Sequence, residues 1–372
     1  MANSFTVTPW EVTGEIDYDL LIERFGTKHI DDDLLDRFSG YGELHPMLRR
    51  GIVYSHRDMD WIMDMYDRGE RFYLYTGRGP SGHTHLGHLM PWIFTQYLQE
   101  LFDVRLYFQL TDDEKFVFSE NLTLEATREA AYENALDFLA LGFDTEKTRI
   151  ILDTDYIRRL YPLALKVAKK VTFSTVKAVF GFDNSTNIGS IFYTSIQAAP
   201  AFLGSDLEGR NVPCLIPCGI DQDPHFRVAR DVANGLGYYK PALLHNKMFP
   251  GLMGADKMSS SQPESTIFTN DSEKQVRKKI GNAFTGGRVS AEEQRKMGGN
   301  PDVCAVYKYQ FYVFEDDDEK VTELYNRCRS GEILCGECKK MLTGKINHFL
   351  GEHREKRERA REVVDDLMMR DR

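Results

Sequence analysis

The stretch RFYLYTGRGPSGHTHLGHLMPWIFTQYLQELF, residues 71–102, decides how this chain is read. RFYLYT (71–76) alternates and is rich in aromatic residues, the pattern of a β-strand. GRGPSG then supplies a glycine-rich loop, and a helix is expected from about Leu86 to Phe102. A strand that turns through glycine into a helix gathers backbone N–H groups and the positive end of a helix dipole at one point. Such a point suits a phosphate.

Outward from this unit, VRLYFQL (104–110) reads as a second strand. Short apolar runs return at VPCLIP (212–217) and PALLHN (241–246), separated by the helical HFRVARDVANG. Residues 124–141 and 155–180 have helical periodicity, and each run ends near a glycine, Gly142 and Gly181. Strand alternating with helix predicts an α/β fold of Rossmann-like type, a parallel sheet covered on both faces. From about residue 270 the strands give out and the chain is charged and helical. The expected organisation is an N-terminal extension (1–70) packed on an α/β domain (71–265), and then an all-helical domain (266–372).

A net charge of −10 over 372 residues argues against indiscriminate binding to nucleic acid, which needs a surplus of Lys and Arg. One local basic run remains: Lys274, Arg277, Lys278, Lys279, Arg288, Arg295 and Lys296. It suits a nucleic-acid contact, and equally a solvated helical face. No stretch approaches the roughly 18 unbroken apolar residues of a membrane helix. The longest candidate, 86–102, is interrupted by His88, Pro91, Gln96, Gln99 and Glu100. Residues 1–10 carry neither a secretory leader nor a transit pattern, so a cytoplasmic protein is expected. Six cysteines fit that compartment as free thiols. Cys335 and Cys338, with Cys328 upstream, have a zinc-like spacing. No second CxxC and no nearby His completes four ligands, so they read as helical core cysteines and no metal with protein ligands is expected.

Residues 77–88, GRGPSGHTHLGH, match three chemistries at once. Gly77, Gly79 and Gly82 spell the dinucleotide pattern, but Pro80 stiffens the loop and the acidic cluster TDDE arrives about 30 residues on rather than about 20. His83, His85 and His88 spell a zinc-hydrolase run, but a glycine, Gly87, stands where a carboxylate is required. His85-Leu86-Gly87-His88 matches the H-x-G-H element of class I aminoacyl-tRNA synthetases. There the histidines can donate to phosphate oxygens as charge develops, and Gly87 leaves room for a flat base against the backbone. Two further elements follow in the order of that class. Gly219-Ile220-Asp221-Gln222 resembles its GxDQ element, and Lys257-Met258-Ser259-Ser260-Ser261, about 170 residues after the histidines, resembles its KMSKS loop. A lysine there is a point charge for the β- and γ-phosphates.

The chain has no editing-sized insertion, which narrows the class to its tryptophan and tyrosine members. Over almost its whole length it closely resembles the eukaryotic-type tryptophanyl-tRNA synthetases. The matching stretches include VTPW (7–10), LRRGIVYSHRDM (48–59), QLTDDEK (109–115), IQAAP (196–200), PCGIDQDPHFR (217–227) and FEDDDEK (314–320). The resemblance implies tryptophan, ATP with Mg2+, and tRNA(Trp) as the molecules handled. It also implies a homodimer, with the insertion near 125–200 at the dimer contact, and an anticodon-binding role for the helical domain. By the same resemblance Tyr75 and Gln109 meet the indole N–H, Glu114 meets the substrate ammonium, and Gln197 and Gln222 surround its α-amino and carboxylate ends. An indole N–H only donates, so an acceptor at the end of an apolar slot is what it needs. Thr76, Arg78, Gly87, His88, Gly219, Asp221, Lys257, Met258 and Ser259 fall on the ATP side, with Lys257, His85, His88 and Arg78 as the catalytic set. Lys278, Lys279 and Arg288 are the tRNA candidates. Two positions depart from the pattern: Ser260 replaces the second lysine of KMSKS, and Val289 follows GGR where an acidic residue is usual.

Two other readings remain at this point. One is a nicotinamide-dependent oxidoreductase built on the glycine pattern. The other is a catalytically silent synthetase relative that acts as a binding protein, against which the intact motif set argues.

Overall fold

The expected strands form, each beginning one or two residues later than the apolar run that announced it. In the computed structural model, which describes residues 6–7, 12–14, 16–254 and 257–371, they are Tyr73–Arg78, Arg105–Leu110, Cys214–Gly219 and Ala242–Asn246. Residues 8–10 of the VTPW match lie outside the described residues. In chain order the strands are β1 (Thr6–Val7), β2 (Val12–Thr13), β3 (Lys28–His29), β4 (Val53–Arg57), β5 (Tyr73–Arg78), β6 (Arg105–Leu110), β7 (Thr148–Leu152), β8 (Cys214–Gly219), β9 (Ala242–Asn246) and β10 (Met368–Met369).

The main sheet runs β10-β7-β6-β5-β8-β9-β4-β3. From β7 to β9 every pairing is parallel, and β4 and β3 close one edge antiparallel. Read from β5, the first parallel strand in the chain, that core has the strand order 3-2-1-4-5, five of the six strands of a full Rossmann sheet. The order reverses between β5 and β8, and ligands of such sheets bind outside the carboxyl ends of the strands at that point.

Strand pleating assigns the two faces. Leu74, Leu106 and Phe108 join the core under helix Leu86–Phe102. Tyr73, Tyr75 and Tyr107 face the opposite core, packed by helices Ile157–Ala168 and Asp223–Leu236. Alternate residues of one strand therefore serve two different compartments.

The structure departs from the sequence expectation in three places. Residues 155–180 are two helices, Ile157–Ala168 and Phe173–Phe180. The second is capped by Thr172, whose hydroxyl oxygen accepts from the Thr175 N–H at 3.2 Å. β4 reads VYSHR, too polar to announce a strand, yet Ser55 and His56 are buried in it. Its polar groups are matched by partners: Ser55 Oγ lies 3.0 Å from His245 Nδ1, and Arg57 reaches Asp223 at 2.7 Å. Strands also do not end near residue 270, because Met368 and Met369 pair in parallel with Ile150 and Ile151 of β7. The long helix Cys335–Ala360 reaches the same region. His353 Nε2 lies 3.1 Å from Asp137 Oδ1, on helix Leu124–Leu139.

Candidate active site

At the β5–β8 reversal lies a cleft of about 410 Å3, and the three motifs meet in it. His85 begins helix Leu86–Phe102 directly beyond β5. Its ring stacks on His88 with centroids 3.6 Å apart, and the His85 backbone N–H donates to His88 Nδ1 at 3.3 Å. That bond requires an unprotonated Nδ1, so a neutral His88 carries its proton on Nε2 and can donate it to a ligand. Burial foremost, then the charge of Arg78, pulls His85 down to about 3 and His88 well below its ordinary value. Both imidazoles are neutral at physiological pH.

Arg78, at the end of β5, is buried, and burial pulls it down to about 9, still charged at neutral pH. Its guanidinium donates to Thr84 Oγ1 at 2.8 Å and to the Gly82 and His83 carbonyls at 3.3 and 3.1 Å. Among the described residues no carboxylate forms an ion pair with it. A buried cation resting on neutral dipoles is stabilised by an incoming anion. Thr76, on the same face of β5, donates to the Pro217 carbonyl at 3.2 Å and ties β5 to β8.

Gly87 brings the histidine element against the lysine loop. A Cβ there would lie 3.1 Å from the His85 ring and 3.3 Å from Met258 Cβ. Met258 is buried and its N–H donates to the Phe249 carbonyl at 2.7 Å, which anchors the loop. Ser259 is tied by its carbonyl, which accepts from Thr266 Oγ1 at 2.7 Å. Lys257 projects from this anchor and pairs with Asp221 at 2.7 Å. Asp221 sits just past β8, where Gly219 is close enough that a Cβ would be 2.6 Å from Asp221 Oδ1. The lysine expected on phosphate and the aspartate expected on ribose are thus held together.

The other compartment is built on odd-numbered strand residues. Tyr75 and Gln109 are buried, and the Tyr75 hydroxyl donates to Gln109 Oε1. Gln109 Nε2 donates to both oxygens of Asp153, at 2.8 and 2.9 Å. Gln197 Nε2 donates to the Tyr75 hydroxyl at 2.9 Å, and the Tyr193 hydroxyl donates to Gln197 Oε1. Burial pushes Asp153 well above the usual carboxylate range, and the Asp113 carboxylate adds to the rise. Asp113 is itself pushed up to about 6, burial again leading. The pair therefore shares a proton at neutral pH and carries one negative charge rather than two.

Glu114 is the opposite case. Burial pushes its carboxyl up, but the Lys115 charge, with hydrogen bonds from Lys115 at 2.8 Å and Thr111 at 2.6 Å, outweighs burial and leaves it below its ordinary value. It is an ionised carboxylate lining the cleft. Gly79 makes room for it, since a Cβ there would lie 2.5 Å from Glu114 Oε2. Gln222 lines the same cleft at the start of helix Asp223–Leu236.

The tRNA candidates are distributed differently. Lys278 is exposed and pairs loosely with Glu264 at 3.6 Å, and Arg288 is exposed with Nε on the Gly298 carbonyl at 2.9 Å. Lys279 is buried, with its ammonium on Asp271 at 2.7 Å and on the Thr266 carbonyl at 2.8 Å. Its three donors are committed inside the protein, so it has none to offer a phosphate. This corrects its place among the surface lysines: helix Glu273–Gly281 turns it inward while Lys274, Arg277 and Lys278 face out. Sequence reasoning missed Asp153, Tyr193 and Lys115. Tyr193 stands four residues before Gln197 on one helix face, a spacing that could have found it.

The chain matches the profile of the tRNA synthetases class I (W and Y) over residues 67–351. It is 54% identical to a tryptophan–tRNA ligase of Pyrobaculum calidifontis over 98% of both chains, and 49% identical to one of Saccharolobus solfataricus over 98% and 95%. Its fold is similar to the tryptophanyl-tRNA synthetases of Plasmodium falciparum (40% identity, TM-score 0.86, 92% of each chain) and Aeropyrum pernix (34%, 0.87, 96% and 97%). The chain belongs to the class I tRNA synthetases. Its activity is that of the tryptophan branch, the ligation of tryptophan to tRNA in protein biosynthesis. This disposes of the oxidoreductase reading of the glycine loop.

Proposed function

We propose that the two compartments divide the work of making tryptophanyl-adenylate from tryptophan and ATP. The observation that carries this reading is the buried pair Tyr75–Gln109 on one face of β5 and β6, with Arg78 and His88 gathered beside the other. The indole enters the apolar slot with its N–H toward Gln109 Oε1 and the Tyr75 hydroxyl. The ammonium is met by ionised Glu114, with Gln197 and Gln222 flanking the reacting end. Thr76, Arg78, Gly87 and His88 line the path of the triphosphate to the helix N-terminus, and Gly219 and Asp221 take the ribose. Magnesium enters on the ATP phosphates.

The tryptophan carboxylate then attacks the α-phosphorus in line, and pyrophosphate leaves with added charge. His85, His88, Arg78 and Lys257 answer that charge by position alone, with no covalent step on the protein. Lys257 has to leave Asp221 for the phosphates, so substrate entry and lysine release are coupled. The adenylate is passed to the terminal ribose of tRNA(Trp), held along the exposed Lys274, Arg277, Lys278 and Arg288. The helical region from about 266 serves as the anticodon-binding unit.

A homodimer is supported by a run of exposed apolar side chains on the insertion: Tyr161 and Leu165, four residues apart on one helix, with Phe173 and Ile188. A cytoplasmic setting agrees with free cysteines and with the lack, among the described residues, of any helix long and apolar enough to cross a membrane. Pyrophosphate exchange offered each of the twenty amino acids tests the reading. Tryptophan alone should drive it, and equal exchange with tyrosine would overturn the slot assignment.

A further inference from the structure

Arg78 is joined to a carboxylate through a threonine. Its guanidinium donates to Thr84 Oγ1 at 2.8 Å, and the Thr84 hydroxyl is in turn a hydrogen-bond partner of the Asp137 carboxylate. A hydroxyl has one proton to give and lone pairs to receive with. Arg78 occupies a lone pair, so the Thr84 proton goes to Asp137. Asp137 is buried near the end of helix Leu124–Leu139, and its charge works against burial to keep Arg78 a cation.

The same helix holds the loop 82–84 at a second point. Asn134, three residues before Asp137 and therefore on the same face, donates from Nδ2 to the Gly82 carbonyl at 3.0 Å. That carbonyl also accepts from Arg78 at 3.3 Å. Two of the oxygens on which Arg78 rests are thus fixed by one helix.

Asp137 is itself gripped from the helical region. His353 Nε2 lies 3.1 Å from Asp137 Oδ1, and Arg357 Nε donates to the same oxygen at 3.2 Å, both from helix Cys335–Ala360. Arg357 and Arg361 also pair with Glu133, one helical turn before Asp137. Burial pushes the Asp137 carboxyl up, but hydrogen bonds from His353 and Thr84, with the charges beside it, outweigh burial and leave it below its ordinary value. An ionised carboxylate bonded from both sides in a buried place has little freedom to turn.

We propose that Asp137 is a positioning residue for adenylate formation, which aims Arg78 at the triphosphate through Thr84 and is steadied by His353 and Arg357. The inference rests on the reading of Arg78 as an ATP-side group. An arginine aimed in advance spends no binding energy on being ordered when the phosphate arrives. The helical region thereby contributes to the ATP site through Asp137 rather than by contact with substrate.

Single-turnover adenylate formation and equilibrium tryptophan binding, both without tRNA, test the proposal. Asp137→Asn should slow adenylate formation about tenfold, the scale of one buried hydrogen bond, and raise the KM for ATP while tryptophan affinity stays put. Thr84→Val loses the hydroxyl at similar volume and should be slowed alike, whereas Thr84→Ser keeps the hydroxyl and should run near the parent rate. The double variant should be no slower than Thr84→Val alone, because both changes break one link. Should Asp137→Asn fold poorly, Arg357→Gln takes its place: it loosens Asp137 from the far side, should slow the step about threefold, and should have no effect once Thr84 is valine. Arg78→Gln separates the proposal from the reading beneath it. Parent-rate adenylate in Arg78→Gln would overturn that reading and the proposal together. A slow Arg78→Gln beside parent-rate Thr84→Val, or losses that simply add in the double variant, would overturn the relay alone.

Discussion

Asp153 determines which way round the Gln109 amide lies. The amide nitrogen donates to both Asp153 oxygens, at 2.8 and 2.9 Å, so the carbonyl oxygen is left facing the Tyr75 hydroxyl and the slot. An amide free to flip would present a donor to the indole N–H half the time. A flat slot alone does not favour tryptophan over other aromatic side chains. An oriented acceptor at its end does.

Asp153→Leu removes that anchor at similar volume. The KM for tryptophan in pyrophosphate exchange should rise about tenfold, the scale of one buried hydrogen bond, with kcat little changed. Asp153→Asn keeps an acceptor oxygen and should recover most of the loss. An unchanged KM in Asp153→Leu would remove Asp153 from the account.

Lys257 tests the ATP side. Replacing it with alanine should slow single-turnover adenylate formation by about 10²- to 10³-fold, as for one lost preorganised electrostatic contact. Ser260 leaves no second lysine in the loop to substitute. Tryptophan affinity at equilibrium should not move, because the slot lies on the other face of β5. Adenylate formed at the parent rate would reduce Lys257 to a partner of Asp221.

The basic helix separates two kinds of lysine. Arg277→Glu with Lys278→Glu should impair tRNA charging and make tRNA affinity fall less steeply with salt than in the parent, while pyrophosphate exchange stays near the parent value. Lys279→Met should instead destabilise the protein by about 3 kcal/mol, because it strands buried Asp271. Equal loss in both assays for the surface pair would indicate damage to the fold rather than a tRNA contact.

Buried neutral histidines set an acid limit on stability. His45, His85 and His225 are held down to about 4, about 3 and about 4, chiefly by burial. Below the unfolded value near 6.5 the unfolded chain takes up protons that the native chain refuses. Their contribution is therefore complete above about pH 6.5 and is lost as pH falls toward 4. His45→Asn retains a capping side chain at the start of helix Pro46–Arg49, where His45 Nδ1 now accepts from the Met47 N–H. The variant should lessen the slope of unfolding free energy against pH between 6 and 4.5 by about 1 kcal/mol per unit. Parallel curves for parent and variant would contradict the assignment.

The strand–loop–helix unit at 71–102 made the parallel sheet and its phosphate end legible, because pleat alternation and the glycine turn are local signals. β7 was not legible: TRIIL is short, and Asp153 at its end acquires meaning only when β6 lies alongside. β4 was hidden because its polar residues are matched by distant partners such as His245 and Asp223. Lys279 was misread because a basic run does not say which lysine faces inward.

The most direct test of the slot compares tryptophan with its benzothienyl analogue, in which sulfur replaces the indole N–H at nearly constant shape. If Gln109 and Tyr75 read that N–H, the parent enzyme should favour tryptophan by about 10² or more in kcat/KM for pyrophosphate exchange, and Gln109→Leu should reduce the preference at least tenfold. A parent enzyme that uses both substrates equally, or a Gln109→Leu variant that keeps the full preference, would contradict it.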